Sequence, residues 1–209
     1  MARKRTAPPR RRADQKEATR ARIVAAALAL FRTRGFDATT TKAIARKARV
    51  AEGTVFNYFP TKEDIALFFL AQEVELAIDA VQKNTRLRKA PIEEKLFTLV
   101  QTQLEFLAPH ERFIGSAFVH ALKPGSKLGV FSPAAQALQF KYLAFVQELV
   151  DEAIRRGELK AAGWWTPQVF WIYYLGVLLY WLHDPSPGKQ QTLAFLDRSL
   201  KIGIAILGQ

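Results

Sequence analysis

The chain has 209 residues, no cysteine, 31 lysines and arginines against 19 acids, and a formal net charge of +12. Without a thiol there is no disulfide framework, thiolate metal site or cysteine nucleophile, and a hydrophobic content of 49% excludes disorder along most of the length. So large a positive excess calls for a polyanionic partner, nucleic acid or an anionic membrane surface.

In chain order, residues 1–18 are basic, hold two prolines and have almost no apolar content, so a flexible basic tail is expected. Such a tail either solubilises or adds phosphate or minor-groove contacts. The run that follows, residues 23–31, is apolar after a basic start. It ends in Arg32-Thr33-Arg34 with no small-residue cleavage site, so it is not a secretory signal. The spacing predicts a first helix over 18–34, stopped by Gly35. Short helices follow over 40–48 and 51–59, and Pro60 breaks the second of them. Thr61 caps a long fourth helix reaching residue 83, with Glu63 and Asp64 in its first turn. Further helices are expected over 91–107, 110–122, 133–156, 166–183 and 189–207, separated by Pro109, by the Pro124–Pro133 loop, by Gly157 and by the turn Asp184-Pro185-Ser186-Pro187-Gly188. No strand alternation occurs, so the fold class is all-α with about nine helices. The apolar run from Val169 to Leu182 counts 14 residues, short of the ~20 that span a bilayer, and reads as a buried helix.

The charge is confined to one end. Residues 1–50 hold 15 basic residues and three acids, Asp14, Glu17 and Asp37, whereas residues 51–209 hold 16 of each sign. A basic module therefore precedes a neutral one. In the basic module, Ile44, Ala45, Ala48, Val50, Val55 and Phe59 supply a small core. Taking Val55 as the core direction, a step of ~100° per residue puts Gly53 and Asn57 on the opposite face, with Thr54 and Phe56 on the flanks. Gly53 has no side chain to keep another backbone away. Around it lie Lys42, Arg46, Lys47, Arg49 and Lys62. A short helix with a polar outer face, in a basic field, after a tight link, reads as a helix-turn-helix.

The stretch Thr39-Thr40-Thr41-Lys42-Ala43-Ile44-Ala45 followed by Val50-Ala51-Glu52-Gly53-Thr54-Val55-Phe56-Asn57-Tyr58-Phe59-Pro60-Thr61-Lys62-Glu63 resembles the signature of the TetR family of bacterial regulators. Phe31 and Gly35-Phe36 fit it as well. The resemblance is close over residues 18–66 and beyond them rests on the helical layout. It implies a helix-turn-helix domain over 19–66, an effector-binding and dimerisation domain over 67–209, and a homodimer that reads a palindromic operator in double-stranded DNA. By the same resemblance, Thr40, Thr41 and Lys42 begin the second helix, where phosphate or a base edge is met. Glu52, Gly53, Thr54, Phe56, Asn57 and Tyr58 lie on the reading helix, and Lys62 matches a phosphate-contacting lysine. Asn57 has the chemistry to read adenine, at ~1–3 kcal/mol of discrimination. Thr54 and Tyr58 have an alternative use in capping or packing.

Three positions depart from the pattern. Arg49 stands where glycine is usual and is strained by ~1–2 kcal/mol if the backbone there is left-handed. Ala51 replaces a serine cap, a loss of ~0.5–2 kcal/mol. Phe56 replaces tyrosine and has no hydroxyl for phosphate.

In the neutral module, Phe69, Phe97, Phe106, Phe113, Phe140, Tyr142, Trp171 and Tyr174 are the candidates to line an effector pocket. At helical spacing such residues are also ordinary core. The eighth helix is apolar all round and needs cover on every side. With one stripe of the ninth it suggests a dimer face of Tyr173, Val177, Tyr180, Trp181, Leu193, Leu196, Leu200 and Ile204, as in an intersubunit four-helix bundle. The expected regulator is a cytoplasmic repressor released by an unidentified small molecule, and the resemblance implies that the sixth helix relays the shift. The competing reading is a DNA binder without an effector. Catalysis is not expected: His110, His120 and His183 lack metal spacing, Ser116 lacks a nucleophile-elbow context, and neither a Gly-x-Gly-x-x-Gly nor a Walker motif occurs. No cofactor, metal or membrane partner is expected.

Overall fold

The computed structural model describes residues 9–123, 125–129, 132–160 and 163–207. Among them are nine α-helices and no strand. They are α1 (Pro9–Arg34), α2 (Thr41–Ala48), α3 (Glu52–Tyr58), α4 (Lys62–Lys83), α5 (Ile92–Leu107), α6 (Glu111–Ala121), α7 (Pro133–Arg155), α8 (Thr166–His183) and α9 (Gln190–Leu207). From α2 onward each boundary lies within one residue of the one read from the sequence. No helix among the described residues is long and apolar enough to cross a membrane.

The first helix is the exception. It starts at Pro9, so residues 9–18, expected to be a flexible tail, are helical; residues 1–8 lie outside the described residues. Residues 10–18 contain no glycine or β-branched residue, and their alanines, arginines, Gln15, Lys16 and Glu17 are strong helix formers. Residues 12–18 are exposed. The ladder simply continues back from the packed half, with Glu17 and Arg20 paired at 3.0 Å.

Local chemistry sets the other boundaries. Gly35 takes φ +88° and its N–H caps the Phe31 carbonyl. Thr61 and Asp64 form a complete capping box at the start of α4. Asp184 closes the turn between α8 and α9 by accepting hydrogen bonds from the amides and hydroxyls of both Ser186 and Thr192. Those donors outweigh the cost of burial and hold its carboxyl well below the usual carboxylate range.

A single buried core runs from Ile23 in α1 to Leu200 in α9. Helices α1 to α3 form a small amino-terminal bundle. Helix α4 leaves that bundle and packs mainly on α5, with α7 beside it, so one rigid element joins both halves.

Candidate nucleic-acid interface and ligand cavity

Helix α3 follows α2 through a three-residue link. Arg49 lies in the left-handed region, φ 55° and ψ 48°, and the Val50 N–H reaches back to the Ala45 carbonyl at 3.1 Å. The link thus has the geometry of a glycine-ended helix but carries an arginine. Ala51 caps α3 without a side-chain hydrogen bond, whereas Thr40 caps α2 by accepting from the Ala43 N–H at 3.2 Å. Ile44, Ala45, Ala48, Val55 and Phe59 face inward and are buried. Gly53, Phe56 and Asn57 are exposed on the opposite side, and Thr54 and Tyr58 are half-buried at its margins. A methyl group placed on Gly53 would touch nothing within 4 Å. Lys42 and Thr40 are exposed beside this face, and Thr41 is half-buried.

Three residues expected at the interface are also engaged inside the chain. Thr41 donates to the Glu52 carboxylate at 3.3 Å, so Glu52 ties the start of α3 to the start of α2. The Lys62 ammonium donates to the Phe36 carbonyl at 2.9 Å and the Asp37 carbonyl at 3.1 Å, and lies 4.6 Å from the Phe36 ring centre. Two of its three N–H groups thus hold the turn before α2.

The same turn is gripped from the second domain. Phe113 of α6 lies 5.0 Å from the ring of Phe31 and 5.7 Å from that of Phe36. His120, two turns further along the same face of α6, pairs with Asp37 at 2.7 Å and holds its carboxyl below the usual range through that hydrogen bond. Lys127, in the loop after α6, reaches Asp64 at 3.3 Å. No local pattern marks His120, Asp37 or Lys127 for these roles, because the pairs lie more than sixty residues apart.

Behind these contacts lies a cavity of about 130 Å³. Leu67, Leu70 and Val74 of α4, Ile114, Ala117, Phe118 and Ala121 of α6, and Trp171, Tyr174, Leu175 and Leu178 of α8 supply most of its wall. Gln103 and Leu107 of α5, with Leu128, Ala135, Leu138 and Gln139, complete it. Only Trp171 and Tyr174 of the eight expected pocket aromatics line it. Tyr142 is fully buried behind them, its ring 5.6 Å from Trp171 and 5.3 Å from Tyr174. Phe69 and Phe113 instead belong to the aromatic cluster beneath α1. Phe97 lies in a shallow polar groove between α5 and α9, while Phe106 and Phe140 are exposed, the latter at 75%. Helical periodicity separates covered from uncovered faces; it does not tell a cavity wall from packed core.

The α8–α9 face differs from the expected one as well. Val177, Trp181, Leu196 and Leu200 are buried within the single chain, which removes them from any surface it presents. Tyr173 and Ile204 are half-buried along an apolar groove, Leu193 is half-buried, and Tyr180 is exposed with its ring 5.2 Å from Phe195. The exposed apolar residues are Val169, Ile172, Leu179 and Tyr180 of α8, with Phe195, Ile202 and Ile206 of α9.

Comparison with known proteins accords with this arrangement. Residues 23–67 match the model of the bacterial regulatory proteins of the tetR family, and residues 95–209 match the tetracyclin repressor-like C-terminal domain. The fatty acid metabolism regulator protein of Bacillus subtilis is 27% identical over 147 residues, covering 70% of this chain and 73% of that protein. The transcriptional repressor KstR of Rhodococcus jostii is 41% identical over 87 residues, 42% of this chain and 40% of that protein. Among solved structures, the Thermus thermophilus FadR repressor in complex with lauroyl-CoA is 26% identical, with a TM-score of 0.64 over 87% of this chain and 92% of that one. Bacillus halodurans FadR shares the fold, with a TM-score of 0.69 at 20% identity over 86% of this chain and 96% of that one.

Proposed function

The chain belongs to the tetR family of bacterial regulatory proteins, and from that premise we propose that it is a homodimeric repressor that leaves a palindromic operator when a hydrophobic small molecule fills its central cavity. At family level this is a regulator rather than an enzyme, and it works in the cytoplasm.

In this reading α3 enters the major groove. Asn57 reads a base edge, Thr54 and Tyr58 flank it, and Phe56 offers an apolar edge to a thymine methyl. Gly53 lets the backbone approach. Thr40, Thr41 and Lys42 meet phosphates, as does the free N–H of Lys62, and Glu52 holds α3 in register with α2. The exposed apolar residues of α8 and α9 are covered by a second copy, which puts two α3 helices ~34–36 Å apart, one turn of DNA.

One observation carries the release mechanism: α6 faces both ways. Ile114, Ala117 and Ala121 line the cavity, while Phe113 and His120 grip the segment that leads into α2. A ligand that wedges α6 outward favours a spacing of the two readers that no longer fits the operator. It acts by binding that state better than the DNA-bound one. The apolar wall, and a similar repressor seen with lauroyl-CoA, support a lipid-like effector.

Fluorescence anisotropy with a palindromic duplex from upstream of the protein's own gene tests the reading. A dimer is expected to bind it, with Asn57→Ala costing ~1–3 kcal/mol at one base position and sparing scrambled DNA. Equal affinity for scrambled DNA would leave only a charge-driven binder.

A further inference from the structure

The cavity wall is apolar apart from Gln103 and the half-buried Gln139, and at Gln103 the chain leaves a polar atom unmet. Gln103 lines it and is only 5% exposed, yet its amide oxygen has no hydrogen-bond partner among the described residues. The neighbouring residues on the α5 stripe, Leu96, Leu99, Val100 and Leu107, are all apolar and buried, so the glutamine occupies a position that packing alone would give to leucine. Across the cavity, the fully buried Tyr142 hydroxyl behind Tyr174 is also unpartnered. On the turn of α4 that carries Leu70 and Val74, Glu73 is buried with one carboxylate oxygen unpartnered, and burial pushes its carboxyl up. Among the described residues no charged side chain lines the cavity.

Buried polar groups ordinarily find partners, and each exception asks for an explanation. A plain hydrocarbon in this cavity leaves the Gln103 amide unmet. A carboxylate in the same place loses its water with no cation on the wall to receive it. A hydroxyl both donates and accepts, and a primary amide does the same, so the two are complementary whichever way the amide is turned. We propose that the cavity takes an uncharged amphiphile, an apolar body bearing a hydroxyl group that pairs with the Gln103 amide, in preference to the corresponding carboxylate. The proposal rests on the reading of this cavity as the effector site.

Titration of the full-length protein with 1-dodecanol and with dodecanoate near neutral pH, followed by tryptophan fluorescence and by calorimetry, tests it. The alcohol is expected to bind at least about tenfold more tightly than the carboxylate, and Gln103→Leu to weaken the alcohol by about tenfold, the worth of one buried hydrogen bond. If the leucine variant does not fold, Gln103→Met provides the same comparison, and the alcohol–carboxylate ratio in the unaltered protein needs no variant. Equal binding of the two probes, or unchanged alcohol affinity in a folded Gln103 variant, overturns the proposal while leaving the effector reading in place. Binding of neither probe overturns both.

Discussion

His120, near the end of α6, lies 2.7 Å from Asp37 in the turn that leads into α2, so the helix that walls the cavity is tied to the amino-terminal domain by a hydrogen bond as well as by the packing of Phe113 on Phe31 and Phe36. Asp37 is 73% exposed, and an exposed pair contributes only ~0.2–1 kcal/mol to stability. Its importance lies in position. Asp37→Ala and His120→Ala should each leave the fold intact and reduce the effect of ligand on DNA affinity, while the double variant adds little to either single one. A double-mutant cycle on ligand-dependent operator affinity measures this. Because the hydrogen bond from His120 lowers the Asp37 carboxyl, its stabilisation is fully present above the ordinary value near 3.8 and fades as the pH falls below it. The contact is therefore insensitive to Asp37 titration at neutral pH.

Lys62 and Lys42 separate two uses of a lysine. Lys62→Met removes two hydrogen bonds to the Phe36 and Asp37 carbonyls and the contact with the Phe36 ring. It should cost about 1–3 kcal/mol of stability as well as DNA affinity. Lys42→Met, at an exposed site, should leave the Tm unchanged and lower the salt slope of DNA binding by about one. Thermal melts and salt titrations of the two variants distinguish the roles.

Gly53 offers a change in which stability and function move apart. Its position is helical and exposed, and an added methyl meets nothing in the chain. Gly53→Ala should therefore stabilise the protein by about 0.5–1 kcal/mol and, in the proposed docking of α3, weaken operator binding by placing a methyl against the DNA. Denaturation and anisotropy on the same sample check both.

Arg49 is held at φ 55° on an exposed link with no glycine to relieve it. Arg49→Gly should raise stability by up to ~1–2 kcal/mol, reduced somewhat by the freer unfolded chain. Urea unfolding at low protein concentration measures it.

The helix boundaries were legible because each is written in local chemistry: Gly35 after α1, the Thr61–Asp64 box before α4, Thr166-Pro167 opening α8. The outward face of α3 was legible for the same reason, since seven residues of fixed period carry it. The cavity was not. Its wall gathers side chains from α4, α5, α6, α7 and α8, and periodicity marks Phe113 and Tyr174 alike as covered without saying what covers them. Gln103 carries a legible signal: a polar residue set among Leu99, Val100 and Leu107 on the buried side of α5, whose amide oxygen, unlike the buried Lys95 paired with Glu152, has no partner among the described residues. Val177 and Trp181 were assigned to a dimer face because α8 is apolar all round, yet α7 and α9 already cover that side. The helix from Pro9 was missed because composition alone predicts disorder, and it cannot register that a packed helix extends into a segment of good helix formers.

The central claim is that cavity and reading face are one coupled system, and reciprocity tests it most directly. Operator affinity is measured with and without saturating 1-dodecanol, and 1-dodecanol affinity with and without saturating operator. Coupling requires both affinities to fall by the same factor, of the order of 5–150. If the ligand occupies the cavity and operator affinity does not change, the account of an effector-released repressor is wrong.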